Sequence, residues 1–260
     1  MSARDDAVAH ARRLWADSAE TDVAIPDAPT RSLAELLSVD ELALIVEPKR
    51  ATAARGAFNE GLDVARVAAE CEQHGAGAMS IVTEAVLSGG SIDDLRAARA
   101  ACQLPVLARD LVVSRRQLHT LRAAGADAVY VPAWLFTEVD EDDAEALRLD
   151  ELVSAAHSLG MEVVLGVADE AELDAALDSD VDVLAIDNRD DSGSVDVERT
   201  FDLLAAIPVG WPVISESIAD LEQVAQLQRA GVDALLLDEG HVDGGLATAL
   251  SIYVERSLDA

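Results

Sequence analysis

Six short apolar runs in this 260-residue sequence end in polar residues, and those endings carry most of the side chains able to do chemistry. LALIV is followed by Glu47 and Lys49, AMSIV by Thr83 and Glu84, and LPVLA by Arg109 and Asp110. DVLAI is followed by Asp187, Asn188 and Arg189, PVI by Ser215, Glu216 and Ser217, and ALLL by Asp238 and Glu239. Carboxylates set among cations at buried positions shift one another's proton affinity, which is what general acid–base work requires. The cations offer binding to a carboxylate or phosphate. Lys49 is the only lysine in the chain. For any single residue an ordinary ion pair at the rim is an equal reading; for the set, a ligand-binding mouth is the better one.

These endings share one place only if the runs are parallel strands. Runs at 42–47, 77–82, 104–108, 127–132, 162–167, 181–187, 212–216 and 232–238 are nearly continuous in apolar residues, as strands buried on both faces are. Helical periodicity covers 62–74, 92–102, 115–124, 144–159, 170–177, 195–206, 218–230 and 244–258. Eight strands alternating with eight helices predict an α/β fold, a single (β/α)8 TIM barrel spanning 1–260, with polar strand ends on the active face. The phrases HGAGAMSIV, AAGADAVYV and RAGVDALLL repeat a helix end, a glycine and a strand start. Gly75, Gly125 and Gly231 suit the left-handed position after a helix. Residues 1–40 precede the first strand and are expected to add an N-terminal helical extension closing the bottom or side of the barrel.

Composition narrows the partners. Fifty acidic against nineteen basic residues give a formal charge of −31. Nucleic acid and anionic membrane both require a positive footprint, so neither is expected as a partner. The acidity reads as a solvated shell, from a salt-rich cytoplasm or from base composition. No apolar run approaches the ~18 residues of a membrane span, and the opening MSARDDAVAHARRLWADSAE lacks the apolar core of a secretion signal. Cys71 and Cys102 read as reduced core thiols, so a cytoplasmic location is expected. Five scattered histidines show no metal spacing, and no phosphate-loop or dinucleotide glycine motif occurs. Neither a metal nor a cofactor is expected. Trp134 and Phe136 are candidates for the mouth.

Read in order, six segments resemble the indole-3-glycerol phosphate synthase family. IVEPKRATAARG resembles its E-x-K-R-x-S-P-S-x-G segment, and MSIVTEAVLSGGSIDDL its S-V-L-T-E followed by G-S-x-x-D-L. LPVLARDLVV resembles L-P-V-L-R-K-D-F-I-V, and AIDNRD resembles G-x-N-N-R-D. VISES resembles the S-E-S-G-I turn, and AGVDALLLDE resembles A-G-A-D-A-V-L-V-G-E. The resemblance implies substrate-contacting roles for Glu47, Lys49, Arg189, Glu216 and Ser217, with Thr52 keeping the hydroxyl of the family serine.

Several family positions differ. Arg109 replaces a lysine general acid; a guanidinium binds a carboxylate or polarises a carbonyl but is a poor proton donor. Gly166 replaces a strand-five glutamate, and Asp187 replaces an asparagine. The glycine after Ser217 is missing, and Asp238 stands where the phosphate turn has glycine. The aromatic near Ser88 and the Pro-Ser pair after Thr52 are absent. Acid–base groups contribute about 10²–10⁴-fold each, so the departures bear directly on activity. The resemblance implies decarboxylating ring closure of carboxyphenylamino-deoxyribulose phosphate in tryptophan biosynthesis. Glu47, Lys49, Arg109, Asp187 and Glu216 would be catalytic, and Thr52, Arg189, Ser217 and Asp238 would bind substrate. Two alternatives remain: a diverged enzyme taking another, non-phosphorylated carboxylate, and a non-catalytic barrel partnering a tryptophan-pathway enzyme.

Overall fold

The computed structural model describes residues 3–16, 24–26, 30–39, 41–137, 146–190, 193–217 and 223–238. Eight strands form the barrel: β1 (Ala43–Val46), β2 (Ala78–Val82), β3 (Val106–Arg109), β4 (Ala128–Pro132), β5 (Glu162–Val167), β6 (Val183–Ile186), β7 (Val213–Glu216) and β8 (Ala234–Leu237). Each pairs in parallel with the next, and β8 returns to β1 with Ala43 opposite Ala234 and Val46 opposite Leu237. All eight runs read from the sequence are strands, closed as a (β/α)8 barrel.

Continuous apolar runs follow from burial on both faces. Along β1, Ala43 and Ile45 belong to the inner core with Leu107, Val183, Ile214 and Leu236. Leu44 and Val46 belong to the outer core, with the helices. The helices are α1 (Ala3–Ala16), α2 (Leu33–Leu37), α3 (Val64–Gln73), α4 (Ile92–Ala101), α5 (Arg115–Ala124), α6 (Trp134–Thr137), α7 (Leu149–Ser158), α8 (Glu170–Leu177), α9 (Glu198–Leu204) and α10 (Val224–Ala230). A side-chain cap sets the start of α3 two residues later than the periodicity does: Asp63 accepts from Arg66 N at 3.1 Å. Helix α9 starts late because Val195 is held extended, bridged to Arg189. The expected helix at 244–258 and the start of the one at 218–230 lie outside the described residues.

The repeated phrase has a physical basis. Gly125 and Gly231 close α5 and α10 at φ 108° and 101°. The aspartate that follows latches the neighbouring strand. Asp127 Oδ2 accepts from Val106 N at 2.9 Å, and Asp233 Oδ2 from Val213 N at 2.8 Å. Asp182 does the same for Val163 N at 2.7 Å. Each latch fixes the start of an odd-numbered strand, and thereby the height at which its end emerges.

The N-terminal extension divides between the two ends. Leu33 and Leu37 of α2 plug the bottom of the inner core. Glu162, at the start of β5, takes the first amides of α2, Leu33 N at 2.7 Å and Ala34 N at 3.0 Å. Helix α1 departs from the expectation of bottom or side. Its Arg4 lies over the Trp134 ring at 5.0 Å, and Ala3 and Arg4 line the mouth. Ala7 and Ala11 give the helix a buried face there, and the guanidinium–indole contact adds to it.

Candidate active site

At the strand C-termini lies a cavity of about 260 Å3. Small-molecule sites usually begin near ~300 Å3, so a ligand here would extend into the mouth. Arg109, at the end of β3, forms the cavity floor. Its Nη1 is 2.6 Å from Glu216 Oε2 and 3.4 Å from Glu47 Oε2. Its guanidinium lies 3.8 Å over the Tyr130 ring. Arg109 lines the cavity, whereas Glu47 and Glu216 do not. Both are buried beneath it, at 0% and 1% exposure.

The two carboxylates titrate in opposite directions. Burial works to raise Glu47, but the charges of Arg109 and Lys49, with hydrogen bonds from Lys49 and Ser80, outweigh it and hold its pKa at about 2. Lys49 Nζ reaches Glu47 Oε1 at 2.7 Å. For Glu216, burial wins over Arg109, reinforced by the charges of Asp187 and Glu47, so its pKa is raised. Arg109 is held well above its ordinary value: burial opposes its charge, but Glu216 and Glu47 prevail. It stays a cation.

Lys49 is aimed by its neighbour. Arg50 forks onto Asp94 at 2.6 and 2.8 Å, tying the end of β1 to the start of α4. The aspartate of the GSIDDL motif is therefore an anchor for the lysine segment. Ala51–Thr52 pairs with Gly56–Ala57 as a short hairpin, unforeseen from the sequence, that brings Thr52 to the cavity wall.

On the far side, Asp187 and Arg189 line the cavity. Asp187 Oδ1 accepts from Arg189 N at 2.9 Å. Asn188 turns inward and is fully buried; it donates to Glu216 O at 2.8 Å and accepts from Thr200 Oγ1 at 2.9 Å. It ties the end of β6 to that of β7. Arg189 is ion-paired to Asp238, which is 2% exposed and does not line the cavity. Asp238 is thus a partner of Arg189 rather than a bare carboxylate in the mouth. Ser217 lines the cavity at φ 55°, the one non-glycine at positive φ among the described residues. Such backbone strain tends to collect at functional sites.

Glu84 and Asp110 also reach the cavity, yet organise loops. Glu84 accepts from the amides of Val86, Leu87 and Ser88 at 2.6–3.1 Å. Asp110 accepts from Thr83 Oγ1 at 2.7 Å.

Tyr130 of β4 is the residue that strand-end reading missed. It lines the cavity, and its hydroxyl fills the space beside Gly166. A Cβ built on Gly166 would lie 1.9 Å from Tyr130 Oη and 2.4 Å from Cζ. Gly166 is therefore the vacancy that admits the phenol. The signal in the sequence was a tyrosine on the inward parity of β4, beside a strand whose one interruption is a glycine. Of the other aromatic candidates, Trp134 lines the mouth and Phe136 packs on the outer core.

A closed parallel barrel with cations and buried carboxylates at its strand ends places the chain among (β/α)8 barrels built to bind a small ligand there. The family model described as indole-3-glycerol phosphate synthase matches residues 2–243. An indole-3-glycerol phosphate synthase of Bordetella pertussis is 35% identical over 211 residues, covering 80% of this chain and 78% of that protein. Indole-3-glycerol phosphate synthase 2 of Streptomyces coelicolor is 33% identical over 230 residues, covering 88% and 86%. This chain belongs to the indole-3-glycerol phosphate synthase family. Among solved structures, a thiamine phosphate pyrophosphorylase from Pyrococcus furiosus superposes with a TM-score of 0.63 at 13% identity, over 88% of this chain and 98% of that one, and shares the fold.

Proposed function

We propose that the protein is an indole-3-glycerol phosphate synthase of tryptophan biosynthesis, a cytoplasmic carbon–carbon lyase. It would convert carboxyphenylamino-deoxyribulose phosphate to indole-3-glycerol phosphate, CO2 and water. The observation that carries the reading is the floor cluster of Glu47, Lys49, Arg109 and Glu216, in a chain matched by the family over nearly its whole length. Two buried free thiols, Cys71 and Cys102, support the compartment.

The aromatic carbon bearing the carboxylate attacks the ketone, CO2 leaves, and the resulting hydroxyl departs as water. These steps balance without a redox partner. Lys49 and Arg109 supply positive charge for the substrate carboxylate and for the ketone oxygen as it gains negative charge. Glu47, ionised throughout the neutral range, holds Lys49 and Arg109 in place. Glu216, its pKa raised by burial, lies beneath Arg109 and holds the guanidinium at 2.6 Å. Asp187 lines the same cavity, while Thr52, Arg189 and Ser217 would bind the ligand's hydroxyls and phosphate, with Asp238 orienting Arg189.

One observation favours a second reading. The Arg189–Asp238 pair places a carboxylate at the turn where the family holds phosphate, as a site for a non-phosphorylated carboxylate would. The non-catalytic partner reading draws no support from the site.

The test is product formation by purified protein at low and molar salt, with Lys49→Ala alongside. Turnover that falls at least ~100-fold in the variant supports the synthase reading. Folded protein with no turnover at any salt refutes it.

A further inference from the structure

The geometry points to Tyr130 as the proton donor to the departing hydroxyl of the substrate, working from the space that Gly166 leaves open. This rests on the synthase reading. It assigns the acid function to a residue on a different strand from either acid–base group the family resemblance implied.

The argument runs through the groups that border the cavity. Arg109 stays protonated and cannot donate. Glu47 is ionised and lies beneath Arg109. Lys49 lies 2.7 Å from Glu47, and its charge is already assigned to the substrate carboxylate and the ketone oxygen. Glu216 lies under the floor and does not border the cavity. The Thr52 and Ser217 hydroxyls border it but are far weaker acids than a phenol. Tyr130 borders the cavity, carries its proton throughout the neutral range, and has a cation stacked on its ring at 3.8 Å. That cation is what a phenolate needs. Burial pushes the phenol well above its ordinary value, Arg109 works the other way, and the charges of Glu216 and Asp187, with a hydrogen bond between the phenol and Glu216, add to the rise.

The step balances. The Tyr130 O–H bond breaks as an O–H bond forms on the hydroxyl at the ring-closing carbon. The C–O bond breaks, water leaves, and the aryl nitrogen lone pair fills the vacancy. The adjacent ring carbon then loses a proton, which returns to the phenolate and restores Tyr130. Arg109 carries the phenolate charge in the interval.

The tests are Tyr130→Phe, 3,5-difluorotyrosine at position 130, and the swap Tyr130→Leu with Gly166→Glu. The phenylalanine variant keeps the ring under Arg109 and loses only the hydroxyl. Its kcat is expected to fall by about 10²-fold or more with KM within about threefold. Difluorotyrosine, a stronger acid, is expected to move the alkaline limb of the kcat–pH profile to lower pH, which a positioning role would not do. The swap, which puts a carboxylate in the vacated space, is expected to regain at least tenfold over Tyr130→Leu. Active wild type with Tyr130→Phe turning over within threefold of it overturns the assignment and leaves the synthase reading standing. An unmoved alkaline limb also overturns it. Folded but inactive wild type overturns the synthase reading and this inference with it.

Discussion

Gly166→Ala is the substitution whose effect follows most directly from the geometry. The new methyl would start 1.9 Å from Tyr130 Oη and 2.4 Å from Cζ, against an ordinary contact of 3.4–4 Å. The obstacle is a buried ring rather than the end of a flexible chain. Tyr130 is 3% exposed and lies under Arg109, which is itself fixed 2.6 Å from Glu216. Overpacking a well-filled core costs typically 1–3 kcal/mol, and a clamped ring puts this site near the top, about 3 kcal/mol. For a domain of this size that lowers Tm by roughly 6–12 °C, at about 2–4 °C per kcal/mol. In a Tyr130→Leu background the ring end and hydroxyl are gone, and the same methyl should cost under about 1 kcal/mol. Denaturant titration of the four proteins, at one salt concentration, closes the cycle with a coupling of about 2 kcal/mol. If Gly166→Ala costs the same in both backgrounds, within about 0.5 kcal/mol, Tyr130 does not occupy that space and the reasoning fails.

Other consequences are open to measurement. Glu47 has a folded pKa of about 2, below its ordinary 4.5, so its contribution to stability is complete above about pH 4.5 and is lost as pH falls toward 2. Wild type should lose stability across that window, and Glu47→Gln should lose less of it; parallel acid titrations of the two would contradict the pairing. Asp238→Gly removes the carboxylate that orients Arg189. At about 1 kcal/mol of lost binding, KM for the phosphorylated substrate should rise about fivefold, and an unchanged KM would show that Arg189 does not hold the phosphate. With a net charge of −31, thermal midpoints measured from 0.1 to 2 M KCl should rise if the acidity is a salt adaptation; flat midpoints would leave base composition as its cause.

The strand ends show how far residue types and order carry the reading. Glu47, Lys49, Arg109, Asp187, Glu216 and Ser217 were singled out because each follows an apolar run, and they do meet at one end of the barrel. Their depth was not legible. Asp187 and Ser217 border the cavity, while Glu216 and Glu47 lie below Arg109, because depth depends on side-chain length and on which cation lies above. Asn188, beside two residues of the cavity wall, points the other way and joins strands. Glu84 and Asp110 stand at strand ends too, yet spend their oxygens on loop amides and a hydroxyl. The position of α1 was misjudged because an amphipathic helix states that one face is buried without saying against what.

Sequence by itself determined the eight strands, the glycine turns and the end of the barrel where chemistry would collect. Those follow from local rules: burial on both faces, left-handed glycine, and the parity of a parallel strand. Only the tertiary structure decided that Arg109 covers two buried carboxylates, that Asp238 answers Arg189, and that Tyr130 fills the gap at Gly166. These contacts join residues from 36 to 107 positions apart, as the 107 between Arg109 and Glu216 illustrates. They depend on the radius and stagger of the closed barrel, which no local window of sequence contains.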